Sequence, residues 1–492
     1  MTRLIEFLPL ELTNHRVEVK WIVTPETPIY RQTGYYLDFG EALDPRTVPL
    51  KVWWTTVLLS LHSHWNLLRP CRVVLPIRLE SEEIEFWSRL LDVERVTIEK
   101  YGQSADFARS IEIVAEGDCL AEVEPTPESG RFATAYSGGK DSLVQAALLC
   151  EFTERPLLVN TYSPMEPLLD HDWPFRHRAM AEMRARRNVE LVEVKSDLRS
   201  IWPHYDITHS LGYKIGMAQL TDPYLFGANA IAVAYSRGVR HVTLAAEYEN
   251  NVLDLYHDRM ALQDFNFNSA LPILGAIDGR LQRWGMRYYS LIAPFSGFQG
   301  LELIRKRYAD LGDIQISCFW ITDDTQQYCC RCYKCLRIGT TLLALGEDPA
   351  SLGIKLDILL ETFKDYDAVA NRVVSYSVPY ACSRINLSKV RRFLPNQTIW
   401  QRLGWSESES FKQLKQLIAI NAPQATPGLA QTHPDYFAFI PPPLRGQMEK
   451  LSRRYWPEID PTDKSAELSL TRETIDWITE TQRDAKKIST AR

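Results

Sequence analysis

A strand, a glycine turn and a helix follow one another in Phe132-Ala-Thr-Ala-Tyr136-Ser-Gly-Gly-Lys-Asp141-Ser-Leu-Val-Gln-Ala-Ala147. The residues before Ser137 are mostly apolar, which predicts a buried strand, and the apolar residues after Ser142 recur with the period of a helix. The adjacent glycines let a ligand approach the backbone closely, and the amides of residues 139–142 lie at a helix N-terminus, which favours an anion. Ser137 and Ser142 add hydroxyl donors, and Lys140 adds positive charge. The stretch predicts a phosphate-binding loop without Walker A spacing.

From residue 131 onward, short apolar runs alternate with helical patterns. The expected strands are 131–136, 156–163, 189–194, 240–247 and 286–295. The expected helices are 142–152, 173–187, 222–237 and 301–311. This alternation predicts an α/β domain with a doubly wound parallel sheet. Because such sheets bind ligands beyond the carboxyl ends of their strands, we expect the site there.

The flanking regions have a different texture. Alternating apolar and polar residues predict a β-rich N-terminal domain with strands at 15–23, 71–79, 93–100 and 110–115 and a helix at 52–68. Two prolines and a glycine in a polar setting predict a linker at 124–130. The end of the chain has a mainly helical pattern, and its clearest expected helices are 354–363 and 408–420. We therefore expect three units, at 1–128, 129–345 and 346–492.

Composition excludes several classes of protein. The 492 residues are 45% hydrophobic and 24% charged, which is typical of a folded globular chain. A net charge of -6 argues against nucleic acid as a partner bound by bulk electrostatics. The first twelve residues do not resemble a secretory signal, and the longest apolar region, 50–68, is interrupted by Lys51, His62 and His64. We therefore expect a cytoplasmic protein without a membrane span.

Five of the nine cysteines lie between residues 318 and 335. Cysteines clustered in a reducing compartment favour a metal site over disulfides. Four of them give the spacing C-x10-C-x2-C-x2-C, which suits a closed, structural zinc site formed by Cys318, Cys329, Cys332 and Cys335. An iron–sulfur cluster and a redox C-x2-C pair are the alternatives. Cys330 is expected to be a bystander.

The phosphate loop resembles a known signature. Ser137-Gly-Gly-Lys-Asp-Ser142 is similar to the S-G-G-x-D-S motif of the PP-loop ATP pyrophosphatases, which have a HUP-like fold and activate a carboxyl or carbonyl oxygen as an adenylate. The resemblance implies ATP and Mg²⁺, and catalytic roles for Ser137, Lys140, Asp141 and Ser142. It also implies a nucleotide site formed by Ala135, Tyr136, Ser137, Gly138, Gly139, Lys140, Asp141, Ser142 and Leu143. An ordinary glycine turn, or a loop that binds nucleotide only to regulate an interaction, is the alternative.

The loop followed by the four cysteines resembles the QueC family of 7-cyano-7-deazaguanine synthases over residues 131–345. These enzymes adenylate 7-carboxy-7-deazaguanine, form its amide with ammonia and dehydrate the amide to the nitrile. Partial matches to the family's R-H-x-x-E helix and substrate segment imply substrate contacts by His177, Asp254, Tyr256, Asp258 and Arg259. The cysteine and the P-E-F of the substrate segment are absent here. The substrate and the dehydration step therefore stay open.

The added terminal regions are similar in extent to those of QueC-like proteins in bacterial antiphage systems of the type IV CBASS and Qat kinds. That resemblance implies transfer of the activated 7-deazaguanine acid to an amine of a partner protein, which the terminal domains would dock. The alternatives are a nitrile synthase that uses ammonia and a tRNA-modifying PP-loop enzyme. The net charge of -6 disfavours the tRNA enzyme.

Overall fold

A computed structural model describes residues 2–101, 110–127, 129–164, 173–201, 217–251, 253–256, 259–262, 267–318, 321, 325–363, 409–421 and 434–457. Its strands are β1 (Arg3–Phe7), β2 (Glu11–Leu12), β3 (Arg16–Thr24), β4 (Gly34–Asp38), β5 (Cys71–Val74), β6 (Ile111–Val114), β7 (Phe132–Ala135), β8 (Leu157–Tyr162), β9 (Glu190–Ser196), β10 (His241–Thr243), β11 (Leu253–Tyr256), β12 (Arg259–Leu262) and β13 (Arg287–Tyr289). Its α-helices are α1 (Leu50–Trp65), α2 (Ser81–Tyr101), α3 (Lys140–Phe152), α4 (Trp173–Arg186), α5 (Met217–Ser236), α6 (Leu271–Leu281), α7 (Gly297–Lys306), α8 (Tyr333–Ala344), α9 (Leu356–Phe363), α10 (Glu409–Asn421) and α11 (Pro442–Tyr455).

One mixed sheet of 11 strands passes through both the N-terminal and the central region. Its order is β13-β10-β7-β8-β9-β4-β3-β1-β5-β6, with β2 paired to β3, while β11 and β12 form a separate hairpin. Neighbours from β13 to β9 are all parallel. This confirms the expected α/β class with a mostly parallel sheet.

The order of the central strands reverses next to the phosphate loop. The chain passes from β7 to β8 and β9 on one side of β7, and then places β10 and β13 on the other side. A crevice forms between β7 and β10 because the two connections leave the sheet in opposite directions. The loop after β7 opens into this crevice.

The sheet crosses the expected domain boundary near residue 128. Strand β4 pairs antiparallel with β9, with Leu37 opposite Ser196 and Asp38 opposite Lys195. Helix α1 of the N-terminal region packs against α5 of the central region. The N-terminal region is therefore joined to the central one through backbone hydrogen bonds and a shared core, and the three-unit division stays a prediction.

One expected strand is wrong. Residues 93–100 lie in α2. Trp87, Leu90, Leu91 and Ile98 are all buried, and their spacing of three, four and seven residues is that of a helix face. The alternation near residue 95 was too short to outweigh this longer period.

The C-terminal helices extend a second core. Leu414 and Ile418 of α10 and Leu444 and Met448 of α11 belong to the same buried cluster as the apolar residues around the cysteines. The expected helices at 354–363 and 408–420 correspond to α9 and α10. Among the described residues, no helix combines the length and apolar character needed to cross a bilayer.

Candidate nucleotide and metal site

A cavity lies beyond the carboxyl ends of β7, β8 and β10, at the reversal of strand order. The phosphate loop forms one wall, and α5 and α8 contribute others. The lining residues are Ala135, Tyr136, Ser137, Gly139, Lys140, Asp141, Ser142, Val159, Thr161, Pro223, Phe226, Leu244, Ala245, Ser269, Ser317, Lys334, Arg337 and Ile338. The cavity therefore contains seven of the nine residues expected to bind nucleotide. Gly138 and Leu143 are not among its lining.

The loop is held in a fixed shape by its own hydroxyl groups. Gly138 has a φ of +74°, in the left-handed region that glycine adopts without strain. The Ser137 amide donates to Ser142 Oγ at 3.2 Å, and Ser142 Oγ donates to the Gly139 carbonyl at 3.1 Å. Ser142 therefore ties the helix start back to the strand end.

Residues 315–318, which are distant in sequence, form hydrogen bonds with the loop. The Ile316 amide donates to the Gly138 carbonyl at 2.8 Å. The Lys140 amide donates to Ser317 Oγ at 3.0 Å. One of the amides that the sequence assigns to an anion is thus bonded to a serine hydroxyl, which itself lines the cavity.

Two cations of the cavity wall share one buried carboxylate. Lys140 Nζ pairs with Asp141 and with Glu247, and Arg337 Nη2 also pairs with Glu247. Arg337 Nη2 lies 3.4 Å from Glu249 Oε1. The side chains of Lys140 and Glu247 are 5% and 6% exposed. The cluster therefore brings together side chains from α3, α8 and the segment after β10.

Burial and charge act in opposite directions on these groups. Burial raises the pKa of Glu247 to about 8, against the opposing effect of Arg337 and Lys140. Burial disfavours the ammonium form of Lys140, yet the charges of Asp141 and Glu247 hold its pKa above the ordinary value. Partial burial also opposes ionisation of Asp141, but Lys140 holds the pKa of that carboxyl below its usual range. The ion pair between Lys140 and Asp141 is therefore charged at neutral pH.

Sequence reasoning did not assign Glu247 or Ser317 to the site. Glu247 follows β10, and Ser317 lies beside the predicted metal ligand Cys318. A polar residue just after a strand that neighbours the phosphate loop was the available signal for Glu247, because such residues face the crevice.

Arg176 of α4 also reaches the loop, where its Nη1 donates to the Ser137 carbonyl at 2.7 Å. The neighbouring His177 is exposed and is not among the residues that line the cavity. Its ring centre lies 6.0 Å from that of Trp173. A substrate contact by His177 therefore stays a prediction.

Three of the other predicted substrate residues lie in the hairpin of β11 and β12. Asp254 and Tyr256 belong to β11, and Arg259, which is paired with Tyr256, begins β12. Asp258 lies outside the described residues. The backbone thus places Asp254, Tyr256 and Arg259 in one hairpin, and the assignment of these side chains to a substrate stays a prediction.

The four predicted cysteine ligands converge. Their sulfur atoms all lie within 4.8 Å of one another, and four of the separations are 3.4, 3.8, 3.9 and 4.0 Å. Thiolates at about 2.3 Å from a tetrahedral zinc ion lie about 3.8 Å apart. The cluster is therefore the right size to hold zinc, as the spacing predicts.

Backbone amides support two of these sulfur atoms. The Cys329 amide donates to Cys318 Sγ at 3.2 Å, and the Arg331 amide donates to Cys329 Sγ at 3.4 Å. Such hydrogen bonds orient metal-bound thiolates. Cys330 instead has its Sγ 3.1 Å from the donating Lys355 amide and is not one of the four. The fifth cysteine is thus turned away from the cluster.

Comparison with known proteins adds no relative. No family model, curated protein or solved structure matches the chain. Its function is therefore inferred from the phosphate loop, the cation–carboxylate cluster and the four cysteines.

Proposed function

We propose that this chain is an ATP-dependent ligase that activates 7-carboxy-7-deazaguanine as an adenylate and transfers the acyl group to an amine. The observation that carries the proposal is the loop of residues 137–142 at the reversal of strand order, in a cavity also lined by Lys334 and Arg337. Backbone amides and cations at such a crevice suit a polyphosphate. The identity of the acid comes from the QueC-like order of loop and cysteines.

The reaction would proceed in two balanced steps. A carboxylate oxygen of the acid attacks the α phosphorus of ATP, the bond from that phosphorus to the bridging oxygen breaks, and pyrophosphate leaves with the electron pair. The amine nitrogen then attacks the acyl carbon, AMP leaves, and the nitrogen loses a proton to give the amide. Charge develops on the leaving pyrophosphate in the first step, where a preorganised cation such as Lys140 is most effective.

The two implied metal ions, magnesium and zinc, would be bound by different residues. Asp141 has a side chain 40% exposed at the cavity wall, so it is the carboxylate that would hold a magnesium ion brought with the nucleotide. That ion would neutralise phosphate charge. The four cysteines would hold zinc in a closed site, which gives the zinc a structural role.

The architecture also motivates a proposal for the amine acceptor. The N-terminal region, which the resembled housekeeping enzymes lack, shares a sheet with the nucleotide domain through β4 and β9. A partner protein docked there would sit on a surface rigidly connected to the catalytic domain. We therefore propose a partner protein's amine as acceptor, in an antiphage system in the cytoplasm, where thiols stay reduced.

Pyrophosphate release tests the proposal. The full chain is incubated with ATP and magnesium, with and without 7-carboxy-7-deazaguanine, and the small-molecule products are identified by mass spectrometry. We expect release that depends on the acid, with an adenylate or an amide as product.

The products also separate the alternatives. Full conversion of the acid to the nitrile in the presence of ammonia would show that the acceptor is ammonia and that the chain is a nitrile synthase. Release that depends on tRNA and is indifferent to the acid would instead support an RNA-modifying enzyme. Absence of release with every acid tested would overturn the ligase proposal.

A further inference from the structure

Helix α8 contributes side chains to two neighbouring sites, the four-cysteine cluster and the cavity. Cys332, at its N-cap, and Cys335 belong to the four-cysteine cluster. Lys334 and Arg337, each two residues further along, line the cavity beside the phosphate loop. The cations and the sulfur ligands therefore alternate within about one turn of the same helix.

The second segment that supplies a sulfur ligand also contacts the loop. Ser317 precedes Cys318 and accepts a hydrogen bond from the Lys140 amide at 3.0 Å. One residue earlier, the Ile316 amide donates to Gly138. Thus both segments that carry the cysteines, 315–318 and α8, form walls of the phosphate cavity.

We propose that Lys334 and Arg337 bind the phosphate groups of the nucleotide, and that metal in the four-cysteine site fixes them in position. The proposal depends on the proposed function for the identity of the ligand as a nucleotide. It makes the cysteine site a determinant of polyphosphate affinity, beyond its contribution to folding.

The surroundings of Arg337 favour this role. Its guanidinium is oriented by Glu247 and Glu249, and the Gly297 amide, at the start of α7, donates to Glu249 Oε1 at 2.7 Å. A Cβ atom added to Gly297 would lie 1.6 Å from Arg337 Nη2. Because Gly297 has no side chain, the guanidinium of Arg337 fits against the start of α7.

Metal ligation would lower the cost of binding. Binding an anion orders both the long cationic side chains and the backbone that carries them, and the backbone part of this entropy cost is avoided when the backbone is already fixed. The α8 backbone around Lys334 is fixed on both sides by sulfur ligands, Cys332 and Cys335. Without the metal, the four sulfur atoms lose the ion that holds them together, and the first turn of α8 is free to fray.

Binding of inorganic pyrophosphate to the full chain, measured by calorimetry, tests the first half of the proposal. The variants are Lys334→Met and Arg337→Met, with Arg331→Met as the matched control. Arg331 is an exposed cation in the same cysteine segment and is not among the cavity-lining residues. We expect each cavity variant to weaken binding by about tenfold to a hundredfold and the control to change it by about twofold or less. Unchanged binding in both cavity variants, or an equal loss in the control, would overturn the proposal.

Metal removal tests the second half. The zinc-loaded chain and a Cys335→Ser variant are compared for zinc content, circular dichroism and pyrophosphate affinity. We expect zinc and affinity to be lost together, whereas Lys334→Met keeps the zinc and the thermal midpoint. A folded, metal-free chain that binds pyrophosphate as tightly as the loaded chain would overturn the role of the metal.

These outcomes are separable from failure of the proposed function. A wild-type chain that does not bind pyrophosphate would overturn this inference together with the nucleotide site. Suppose instead that the wild-type chain binds pyrophosphate, that the cavity variants do not, and that ATP and the deazaguanine acid give no pyrophosphate release. This result would support the inference and overturn only the ligase proposal.

Discussion

Two buried carboxylates, Glu94 at the junction with the N-terminal region and Glu247 at the cavity, differ in what surrounds them. Glu94 is 0% exposed, and among the described residues its carboxylate is contacted by His62 Nε2 at 2.8 Å, Ser63 Oγ at 2.7 Å, Asn66 Nδ2 at 3.4 Å and the hydroxyl of Tyr224. Glu247 is contacted by the cations Lys140 and Arg337. The first group joins α1, α2 and α5, and the second joins α3 and α8.

The difference indicates a division of roles. The donors around the buried Glu94 carboxylate are used by its two oxygens, so the Glu94 group is suited to holding helices together rather than to binding a ligand. Cations that also line a cavity have a second possible partner, an incoming anion. We therefore expect changes around Glu247 to alter binding and turnover, and changes around Glu94 to alter stability.

The largest expected effect is the loss of turnover in Asp141→Asn. This substitution removes the carboxylate that pairs with Lys140 and would hold magnesium, so we expect pyrophosphate release to fall by about a hundredfold or more. The thermal midpoint should change little because the Asp141 side chain is 40% exposed. Asp92→Asn, on the exposed surface of α2 with 64% side-chain exposure, is the control. Turnover equal to that of the control would remove the catalytic role from Asp141.

Next in size is a loss of stability in Glu94→Gln. The amide replaces one acceptor oxygen by a donor that faces the donors already there, and we expect the free energy of unfolding to fall by about 1–3 kcal/mol. Urea unfolding followed by circular dichroism measures it. Glu85→Gln, in an exposed i,i+4 pair with Arg89 on the same helix, should change it by about 0.5 kcal/mol or less. Equal effects of the two substitutions would show that the Glu94 group does not hold the junction.

A pH dependence follows for Glu247→Gln. The ordinary pKa of glutamate is about 4.3, and burial raises that of Glu247 to about 8. Between these values the folded chain holds a proton that the unfolded chain has lost, so this group's contribution to stability falls as the pH rises. Glutamine does not titrate, and all other groups are common to both chains. We therefore expect the variant to gain about 1–3 kcal/mol relative to wild type between about pH 4.5 and about pH 8.5.

Urea unfolding of both chains at the two pH values checks this expectation. Only the difference between the chains is interpreted, because the acid titration of the remaining carboxylates cancels in it. A difference that stays constant with pH, or that favours the wild type at the higher pH, would mean that Lys140 and Arg337 keep Glu247 ionised throughout.

The parts of the site that sequence predicts are those encoded by neighbours in the chain. The loop at 137–142 and the cysteines at 329–335 each place their chemistry within a few residues, so spacing alone identifies them. Glu247 and Ser317 enter the site because β10 lies beside β7 and because 315–318 crosses the loop. Both relations are made by the fold, and the local signal was limited to Glu247, which ends the expected strand at 240–247. The wrong strand at 93–100 has a different cause, because there a short alternation was outweighed by the longer helical period of the buried residues of α2.

The smallest expected effect tests the boundary of the metal cluster. Cys330 lies between ligands in sequence, with a φ of +58°, yet its Sγ accepts from the Lys355 amide at 3.1 Å. Cys330→Ser keeps an acceptor for that amide, so we expect the zinc content to stay at one ion per chain and the free energy of unfolding to change by about 1 kcal/mol or less. Cys332→Ser, in contrast, should lose the zinc because its sulfur atom is 3.4 Å from that of Cys335 inside the cluster. Loss of zinc from a Cys330 variant that circular dichroism shows to be folded, measured by elemental analysis, would mean that the fifth cysteine exchanges with one of the four.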